Sequence, residues 1–390
     1  MTTNAIISGI GQSVVGRLLG RSPLSLTAES ALQAIADAGL IPAEIDGVST
    51  WPGAASMFPG SSGVGVYEIQ DALGLRLEWF SGAVETAGQF GAVINAVNAI
   101  AAGLCDHVLV FRTVWESTAQ GGARRAGMGA AQRIDDWTQW YLPFGAVSPA
   151  NWTAWLARAH FDRYGTTREQ LSAIAINQRN NAALNPKAIF RKPLTLDEYM
   201  NSRMISDPLC LFDCDVPVDG STSIIVSRNE ARVNPGARTI RIEATSGASY
   251  GRPRWDMYED LASMTAEDVG ASLWKRTELT PADVDMCHLY DGFSFLALIW
   301  LEALRLCPRG EGGAFVEGGS RIALNGDLPM NTGGGQLSAG RLHGFGHLHE
   351  ACLQLRKEAG ERQLARAPEV AVVAAGGGQL AGALLLTTYR

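Results

Sequence analysis

Two copies of one seven-residue pattern stand far apart in this sequence, and the duplication restricts the fold more than any other feature. Residues 40–46 read LIPAEID and residues 279–285 read LTPADVD. The two copies agree in residue type at every position except Ile41 and Thr280. A repeat of this kind indicates that one half of the chain is a duplicate of the other.

The segments around both copies also match. Apolar residues at helical spacing predict a helix ahead of each copy, and a short apolar stretch predicts a strand after it. Ser22 and Pro23 are residue types that open a helix, so the first helix has a defined start. The predicted helices are residues 23–38 and 264–276, and the predicted strands are residues 47–50 and 286–289. We therefore expect two α/β units of the same design.

A glycine-rich turn follows in each half. Residues 82–91 lead into an apolar helix and a predicted strand at residues 107–111. Residues 331–349 read NTGGGQLSAGRLHGFGHLH and lead into a predicted helix at residues 347–358 and a strand at residues 370–374. Glycine lets backbone N–H groups approach a ligand closely, and such donors suit an oxyanion or a thioester carbonyl. Two such units can pack their sheets back to back around shared helices, which brings both turns to one site.

Residues 113–220 differ in composition from both halves. This segment holds five of the ten tryptophans of the chain, which are Trp115, Trp137, Trp140, Trp152 and Trp155. We predict a mostly helical insertion that folds over the site, either as a satellite with a small core of its own or as a lid that grips a bulky apolar substrate. The predicted organisation is an N-terminal half at residues 1–112 and 221–250, the insertion at residues 113–220, and a C-terminal half at residues 251–390.

Composition excludes several classes of function. Nucleic-acid-binding domains are basic, whereas this chain has a net charge of -7 and a pI near 5.5. No apolar run reaches the ~18 residues that a membrane span requires, and the first residues have no positive region of the signal-peptide type. The six cysteines are scattered along the chain, unlike a secreted disulfide framework. We expect a cytoplasmic protein with neither a membrane nor a nucleic-acid partner.

Several short stretches in the insertion and just beyond it form a recognisable set. They are RYGTTREQL at residues 163–171, Asn181, NP at residues 185–186, PLT at residues 193–195, MISDPLCLFDC at residues 204–214 and DG at residues 219–220. Together with the duplication, this set resembles the thiolase superfamily, in particular its sterol-carrier-protein-type branch. The resemblance covers nearly the whole chain. It implies an α/β thiolase fold, a duplicated five-layered α-β-α-β-α arrangement with a mostly helical insertion.

The resemblance does not extend to the catalytic side chains of the family's Claisen enzymes. Those enzymes use a nucleophilic cysteine, an asparagine, a histidine and a second cysteine. The corresponding positions of this chain are Gly88, Tyr290, Arg341 and Ala374. Because acyl transfer through a covalent intermediate requires a thiolate and a base that activates it, a conventional thiolase is the least favoured of the alternatives.

The sequence also resembles the thiolase-like aldolases of bacterial steroid side-chain degradation. That resemblance implies retro-aldol cleavage of a β-hydroxyacyl-CoA to a ketosteroid and a short acyl-CoA such as propionyl-CoA. It implies no cofactor, since the CoA thioester is the substrate. It further implies a homodimer and a partner protein with a zinc ribbon and an OB-fold domain. We expect the apolar strand near residues 107–112 to form the homodimer contact.

A function of a different class is also compatible with the sequence. A catalytically silent thiolase-like subunit that binds acyl-CoA or lipid, or that acts as a scaffold, would also have lost the four catalytic side chains. Retention of Tyr290, His343 and the glycine turns favours the aldolase over this alternative.

The candidate catalytic residues are Tyr290, His343, Arg341 and Asp291. We predict that Tyr290 and His343 transfer protons; the alternatives are a half-buried strand tyrosine and a histidine that holds the loop. Arg341 stays protonated at neutral pH, so it stabilises an enolate, binds a phosphate or faces solvent. Candidate donors to the thioester oxygen are Gly88, Gly334, Gly335, Gly377 and Gly378, and Arg124 and Arg125 either meet the phosphates of CoA or form a solvated surface.

Two groups of metal-ligand residue types are better explained without a metal. Cys210 and Cys214 stand near three aspartates, but their spacing matches no zinc pair with two further ligands. The aspartates are Asp213, Asp215 and Asp219. His343 and His347 are four residues apart, as two ligands on a helix are, but the glycines between them weaken that geometry. We therefore predict no metal site.

Overall fold

The computed structural model describes residues 4–55, 58–126, 138–146, 148–231, 239–250, 260, 262–378 and 380–388. The strands in this part of the chain are β1 (Ala5–Gln12), β2 (Gly47–Thr50), β3 (Trp79–Ser81), β4 (His107–Trp115), β5 (Met204–Ser206), β6 (Leu209–Cys210), β7 (Asp219–Arg228), β8 (Ile240–Ser246), β9 (Met286–His288), β10 (Val370–Gly376) and β11 (Ala381–Thr388). The α-helices are α1 (Pro23–Asp37), α2 (Val66–Leu73), α3 (Gly91–Ala101), α4 (Glu116–Ala126), α5 (Thr138–Tyr141), α6 (Pro149–Tyr164), α7 (Arg168–Ala183), α8 (Leu196–Met200), α9 (Thr265–Leu273), α10 (Ser294–Ala303), α11 (Gly312–Val316) and α12 (Phe345–Arg356). Within the described residues, no helix has the length and apolar character to cross a membrane.

Nine of the strands form one mixed sheet in the order β3-β2-β4-β7-β1-β8-β11-β10-β9. In the first half, β2 and β4 are parallel, and the antiparallel strand β7 lies between β4 and β1. In the second half, β9 and β10 are parallel, and the antiparallel strand β11 lies between β10 and β8. The two halves therefore repeat one topology, and the predicted duplication is confirmed. A short pairing of β1 with β8, through Ile6 and Ile7, joins them.

The repeated seven-residue pattern forms the same local structure twice. Each copy contains one turn of 3₁₀ helix, at Pro42–Glu44 and at Pro281–Asp283, directly before a strand. In the first copy the Glu44 carboxylate accepts a hydrogen bond from the Ile41 N–H at 2.9 Å. In the second copy the Asp283 carboxylate accepts one from the Thr280 N–H at 2.7 Å. The acidic residue thus caps the turn in both copies, which gives a structural reason for an acidic residue at this position of the pattern in both halves.

Successive residues of the central strands face different helix layers, as strand geometry requires. Val108 and Val110 of β4 pack in a core with α3 and α12, whereas Leu109 and Phe111 pack with α1 and α2. In β10, Val373 belongs to the core around α3 and α12, whereas Val372 belongs to a core with α9 and α10. The helices α3 and α12 therefore lie between the two halves of the sheet. This arrangement confirms the predicted α-β-α-β-α order.

The predicted homodimer contact at residues 107–112 is wrong. Strand β4, which contains these residues, lies in the interior of the sheet between β2 and β7. All residues from His107 to Val114 are buried on both faces by the helix layers. The apolar character of this strand reflects burial inside one chain. The edge of the first half is β3 instead.

The insertion is mostly helical within the described residues, and it packs on the second half. Leu156 of α6 and Ile174 of α7 share one core with Phe295 and Leu298 of α10. These two helices are therefore not a satellite with a separate core. The strand β8, where the two halves meet, pairs with β11 of the second half. The limits given above for the three parts of the chain stay a prediction.

Candidate active site

The two glycine turns meet beside the ends of β9 and β10. The Phe90 and Phe345 rings, one from each turn, lie 6.0 Å apart. Gly344 packs on the next strand so closely that an added Cβ would stand 2.6 Å from the Cβ of Ala375. Tyr290 follows β9, and Arg341 lies in the loop ahead of α12. The fold thus gathers the predicted turns around the end of the sheet.

An extended strap, which we define as residues 214–217, connects Tyr290 to the glycine loop. The N–H of Asp215 donates to the carbonyl of Gly292 at 3.2 Å, two residues after Tyr290. On the other side, the N–H of Arg341 donates to the carbonyl of Val216 at 2.9 Å. The strap therefore lies between the segment that carries Tyr290 and the loop that carries Arg341.

Arg341 is held by two carboxylates. Its Nε lies 3.0 Å from Oδ1 of Asp215, and its Nη1 lies 3.0 Å from Oε2 of Glu116. Burial alone would lower the pKa of Arg341, but Asp215 and Glu116 raise it above its ordinary value. The side chain as a whole is 21% exposed, so Arg341 is not completely enclosed by the protein. Of the three roles considered for Arg341, a purely solvent-facing one does not fit this geometry.

Asp215 is a carboxyl group that titrates near neutrality. Burial raises its pKa to about 7; Arg341 opposes the shift, and Glu116 and Asp291 add to it. A group with such a pKa exchanges a proton readily at neutral pH, which is the property of a general base. Asp215 is therefore a stronger candidate base than any residue proposed from the sequence.

Tyr290 is half-buried at the centre of this group. Burial raises the pKa of Tyr290, Asp215 raises it further, and Arg341 and the Gln336 amide partly oppose the shift. The phenol is therefore protonated at neutral pH and can donate to a substrate oxygen. Asp215 is near enough to affect the pKa of Tyr290.

His343 is held from both sides in a buried pocket. Nη2 of Arg112 lies 2.8 Å from Nδ1 of His343, and Oε1 of Glu116 lies 3.0 Å from its Nε2. Because a guanidinium only donates, Nδ1 accepts and Nε2 carries the ring proton. Burial lowers the pKa of His343 to about 4, with Glu116 opposing the shift. This arrangement favours the alternative in which His343 holds the loop.

Glu116 is the residue that joins these groups. It begins α4 and is fully buried, with one oxygen near Arg341 and the other near His343. Burial alone would raise the pKa of Glu116, but His343, Arg341 and Arg112 bring it below its ordinary value. Glu116 is therefore ionised and fixes the position of Arg341.

Asp291 lies beneath the glycine loop and is fully buried. Its Oδ1 accepts from the N–H of Gln336 at 2.8 Å and lies 2.9 Å from Nε2 of His347. Its Oδ2 accepts from the N–H of Leu337 at 3.3 Å. A Cβ at Gly335 would stand 2.0 Å from this oxygen, so only glycine fits there. With its oxygens used in this way, Asp291 positions the loop.

Several of the glycine amides proposed as thioester donors already have acceptors inside the loops. Three of these N–H groups donate to backbone carbonyls: Gly88 to Thr86 at 2.7 Å, Gly334 to Asn331 at 2.9 Å, and Gly377 to Leu380 at 2.9 Å. The carbonyl of Gly378 accepts from the Thr265 hydroxyl at 2.8 Å. Binding of a thioester oxygen by these glycines stays a prediction.

The amide of Gln336 offers a different donor at the same place. Its Oε1 accepts from the N–H of Gly344 at 3.1 Å, which fixes the orientation of the group. The Nε2 is buried, and the Gln336 amide interacts with the Tyr290 hydroxyl, where it lowers the pKa of the phenol. An amide donor beside Tyr290 is suited to an oxyanion that arrives with the substrate.

The described residues include no group of three or more His, Cys, Asp or Glu side chains that could hold a metal ion. Asp213 instead accepts from Tyr199 at 2.7 Å and from the N–H of Cys210 at 2.7 Å. His343 and His347 contact different carboxylates, Glu116 and Asp291. The side chains of Arg124 and Arg125, at the end of α4, lie outside the described residues, so their contact with CoA stays a prediction.

Aromatic side chains of the insertion form an open apolar surface. The Tyr141 ring lies 5.3 Å from Trp155 and 6.3 Å from Trp152. Close by in the chain, Trp140 and Phe144 are 70% and 86% exposed. Trp137 lies outside the described residues. This surface has the character expected of a contact for a bulky apolar group.

The sequence did not point to Glu116, Arg112 or Gln336, and it brought in Asp215 only as a possible metal ligand, which was rejected. One signal was available, because an arginine in a buried glycine loop requires an acidic partner. The sequence does not tell which of the 39 acidic residues that partner is. Only the tertiary contact of the strap with the loop identifies Asp215.

Comparisons with known proteins agree on one family. The family model "Thiolase C-terminal domain-like" matches residues 247–387. The chain is 35% identical over 363 residues to a steroid side-chain-cleaving aldolase of Thermomonospora curvata, covering 90% of each chain. It is 34% identical over 372 residues to a 17-hydroxy-3-oxo-4-pregnene-20-carboxyl-CoA lyase of Mycobacterium tuberculosis, covering 91% of this chain and 92% of that one. A solved Ltp2-ChsH2(DUF35) aldolase superposes with a TM-score of 0.86 at 31% identity, over 99% of this chain and 98% of that one.

Proposed function

Because the chain belongs to the thiolase superfamily, among its steroid side-chain-cleaving aldolases, we propose that it cleaves a steroid β-hydroxyacyl-CoA by a retro-aldol reaction. The products are a ketosteroid and a short acyl-CoA such as propionyl-CoA. The enzyme is a carbon–carbon lyase and not a thiolase. The observation that carries the proposal is the strap that brings Asp215 and Arg341 to Tyr290.

The first step is removal of the proton from the tertiary hydroxyl of the substrate. Tyr290 accepts that proton as it passes its own phenolic proton to Asp215, whose pKa of about 7 makes it a base at neutral pH. The alkoxide electrons form the ketone C=O bond, and the bond between the α and β carbons breaks. The electron pair of that bond moves into the thioester enolate, which leaves the ketosteroid free.

The enolate is stabilised by positive charge and a donor at the same place. In the proposed mechanism the Arg341 guanidinium supplies the positive charge and the Gln336 amide supplies the donor. The enolate then takes one proton on its α carbon, returned from Asp215 through Tyr290, and becomes the short acyl-CoA. No net proton is gained or lost.

The proposed reaction needs no covalent acyl-enzyme. Glycine and alanine occupy the two positions where thiolases have cysteine, at Gly88 and Ala374. Burial raises the pKa of all six cysteine thiols of the chain, as at Cys214, which lies next to Asp215. A thiol with a raised pKa is a poor nucleophile at neutral pH. These features support cleavage without a cysteine nucleophile.

The partner protein is part of the proposal. The similar solved structure joins two components in its name, Ltp2 and ChsH2(DUF35). We propose that this chain likewise works with a partner that carries a zinc ribbon and an OB-fold domain, around a homodimer of this chain. The exposed Trp140 and Phe144 are suited to contact the steroid rings or the partner.

A direct assay tests the proposal. The purified chain, alone and together with the zinc-ribbon/OB-fold protein, is incubated with a steroid β-hydroxyacyl-CoA, and the products are quantified by mass spectrometry. We expect ketosteroid and propionyl-CoA in equal amounts, with faster release when the partner is present. Tight binding of the substrate with no cleavage in either mixture would identify a silent binding subunit instead.

A further inference from the structure

A cavity beside the glycine loop has a volume of 280 Å³. Gly340 and Leu342 line it, whereas the side chain of Arg341 between them reaches Asp215 and Glu116. Gln336 and His347 also line the cavity, so it adjoins the candidate active site along the loop. Since one water needs about 10–15 Å³ of such space, the cavity has room for a ligand of several atoms.

His288 is an unpartnered polar side chain in the wall of this cavity. It is 0% exposed, and neither Nδ1 nor Nε2 has a hydrogen-bond partner among the described residues. Burial, with His347 and Arg362 nearby, keeps the pKa of His288 well below its ordinary value. The neutral ring therefore presents one N–H donor and one acceptor nitrogen. Leaving both buried nitrogens unused is unfavourable, and a ligand with both kinds of atom would satisfy them.

The charged residues in the wall favour an anion. Lys187 and Arg362 are cations, and Glu350 is the carboxylate that lines the cavity with them. Arg362 is paired with Glu350 through Nε at 2.9 Å and Nη2 at 2.8 Å. Lys187 donates to the carbonyl of Gln12 at 3.1 Å, which uses one of its three N–H groups. The described lining thus carries one cationic charge in excess.

We propose that this cavity is a binding site for inorganic hydrogen phosphate, with Lys187 at its mouth and His288 in its wall. Hydrogen phosphate has oxygens that accept from Lys187 and from the His288 N–H. Its own O–H can donate to the second nitrogen of His288, which sulfate cannot do because it has no proton at neutral pH. The site adjoins the candidate active site through Gln336, but Lys187 and His288 have no role in the proposed cleavage.

Isothermal titration calorimetry with inorganic phosphate at constant ionic strength tests this site in the full chain. We expect saturable binding of phosphate, and at least about tenfold weaker binding of sulfate, because sulfate leaves the acceptor nitrogen of His288 unpaired. In Lys187→Gln we expect phosphate affinity to fall by about tenfold or more, since a charge-assisted hydrogen bond is lost.

Lys192→Gln is the matched control, because Lys192 belongs to the same insertion but is 85% exposed and lies near Glu198. Its phosphate affinity should stay within about twofold of the wild type. The proposal is overturned if the wild type takes up no phosphate. It is equally overturned if sulfate binds as well as phosphate, or if Lys187→Gln and Lys192→Gln bind phosphate alike.

Discussion

Replacing Tyr290 with phenylalanine is expected to lower kcat by about 100-fold or more, the usual contribution of a positioned acid or base. The change removes only the phenolic oxygen, so the ring keeps its packing at the end of β9. The substrate hydroxyl then has no path to Asp215, and cleavage slows while substrate binding is little affected. Release of ketosteroid by the complex with the partner protein, followed over a range of substrate concentrations, separates kcat from KM.

Tyr67→Phe is the control for this variant. Tyr67 is 69% exposed on α2, so loss of its hydroxyl should leave kcat unchanged. Both variants should melt within a few degrees of the wild type. Near-normal turnover by a correctly folded Tyr290→Phe protein would remove Tyr290 from the mechanism.

Asp215→Asn should have an effect of similar size and should also change the pH profile. Asparagine keeps the shape of the side chain but cannot accept a proton, so kcat/KM should fall by about 100-fold or more. Folding raises the pKa of Asp215 to about 7, and the base is the ionised form. Wild-type kcat/KM should therefore rise with pH up to about 7 and level off above it, losing about tenfold for each pH unit below 7.

The pH profile distinguishes a base from a residue that only holds Arg341. In Asp215→Asn the acidic limb near pH 7 should disappear, and the low residual rate should vary little with pH in that range. Asp327→Asn, at an exposed position, serves as the control and should keep the wild-type profile. If Asp215→Asn retains the limb near pH 7, another group is the base and Asp215 is a positioning residue.

Local features of the fold follow from residue types that can be read in the sequence. The hydroxyl of Ser22 accepts from the N–H of Ser25, so the predicted N-cap of α1 is confirmed. The repeated pattern, its capped turn and the strand after it are found in both halves. Such features depend on neighbouring residues, which is why the sequence alone determines them.

Features that depend on distant contacts were not predicted. Strand β4 was expected at a surface because it is apolar, but an apolar strand is equally suited to the inside of a sheet that has helices on both faces. The pairing of β1 with β8 joins residues more than half the chain apart, and no local pattern encodes it. The position of the candidate site in the fold followed from the resemblance to thiolases.

The chemistry of the site was predicted only in part for the same reason. Tyr290 and Arg341 were proposed from their positions in the motifs, and the structure surrounds them with charged groups. His343 and Asp291 were proposed as catalytic groups, yet their contacts are those of residues that hold the loop. Asp215 precedes Tyr290 by 75 residues, with β7, β8, α9 and β9 between them, so its pKa could not be inferred before the strap was seen.

In the proposed reaction, cleavage passes through a thioester enolate and not through an acyl-enzyme. Cleavage in D₂O by the complex with the partner protein, with mass spectrometry of both the short acyl-CoA and the intact enzyme, distinguishes the two routes. We expect one deuterium on the α carbon of the acyl-CoA released and no added mass on the enzyme during turnover. An acyl group attached to a cysteine, or an acyl-CoA product without deuterium, would contradict the proposed reaction.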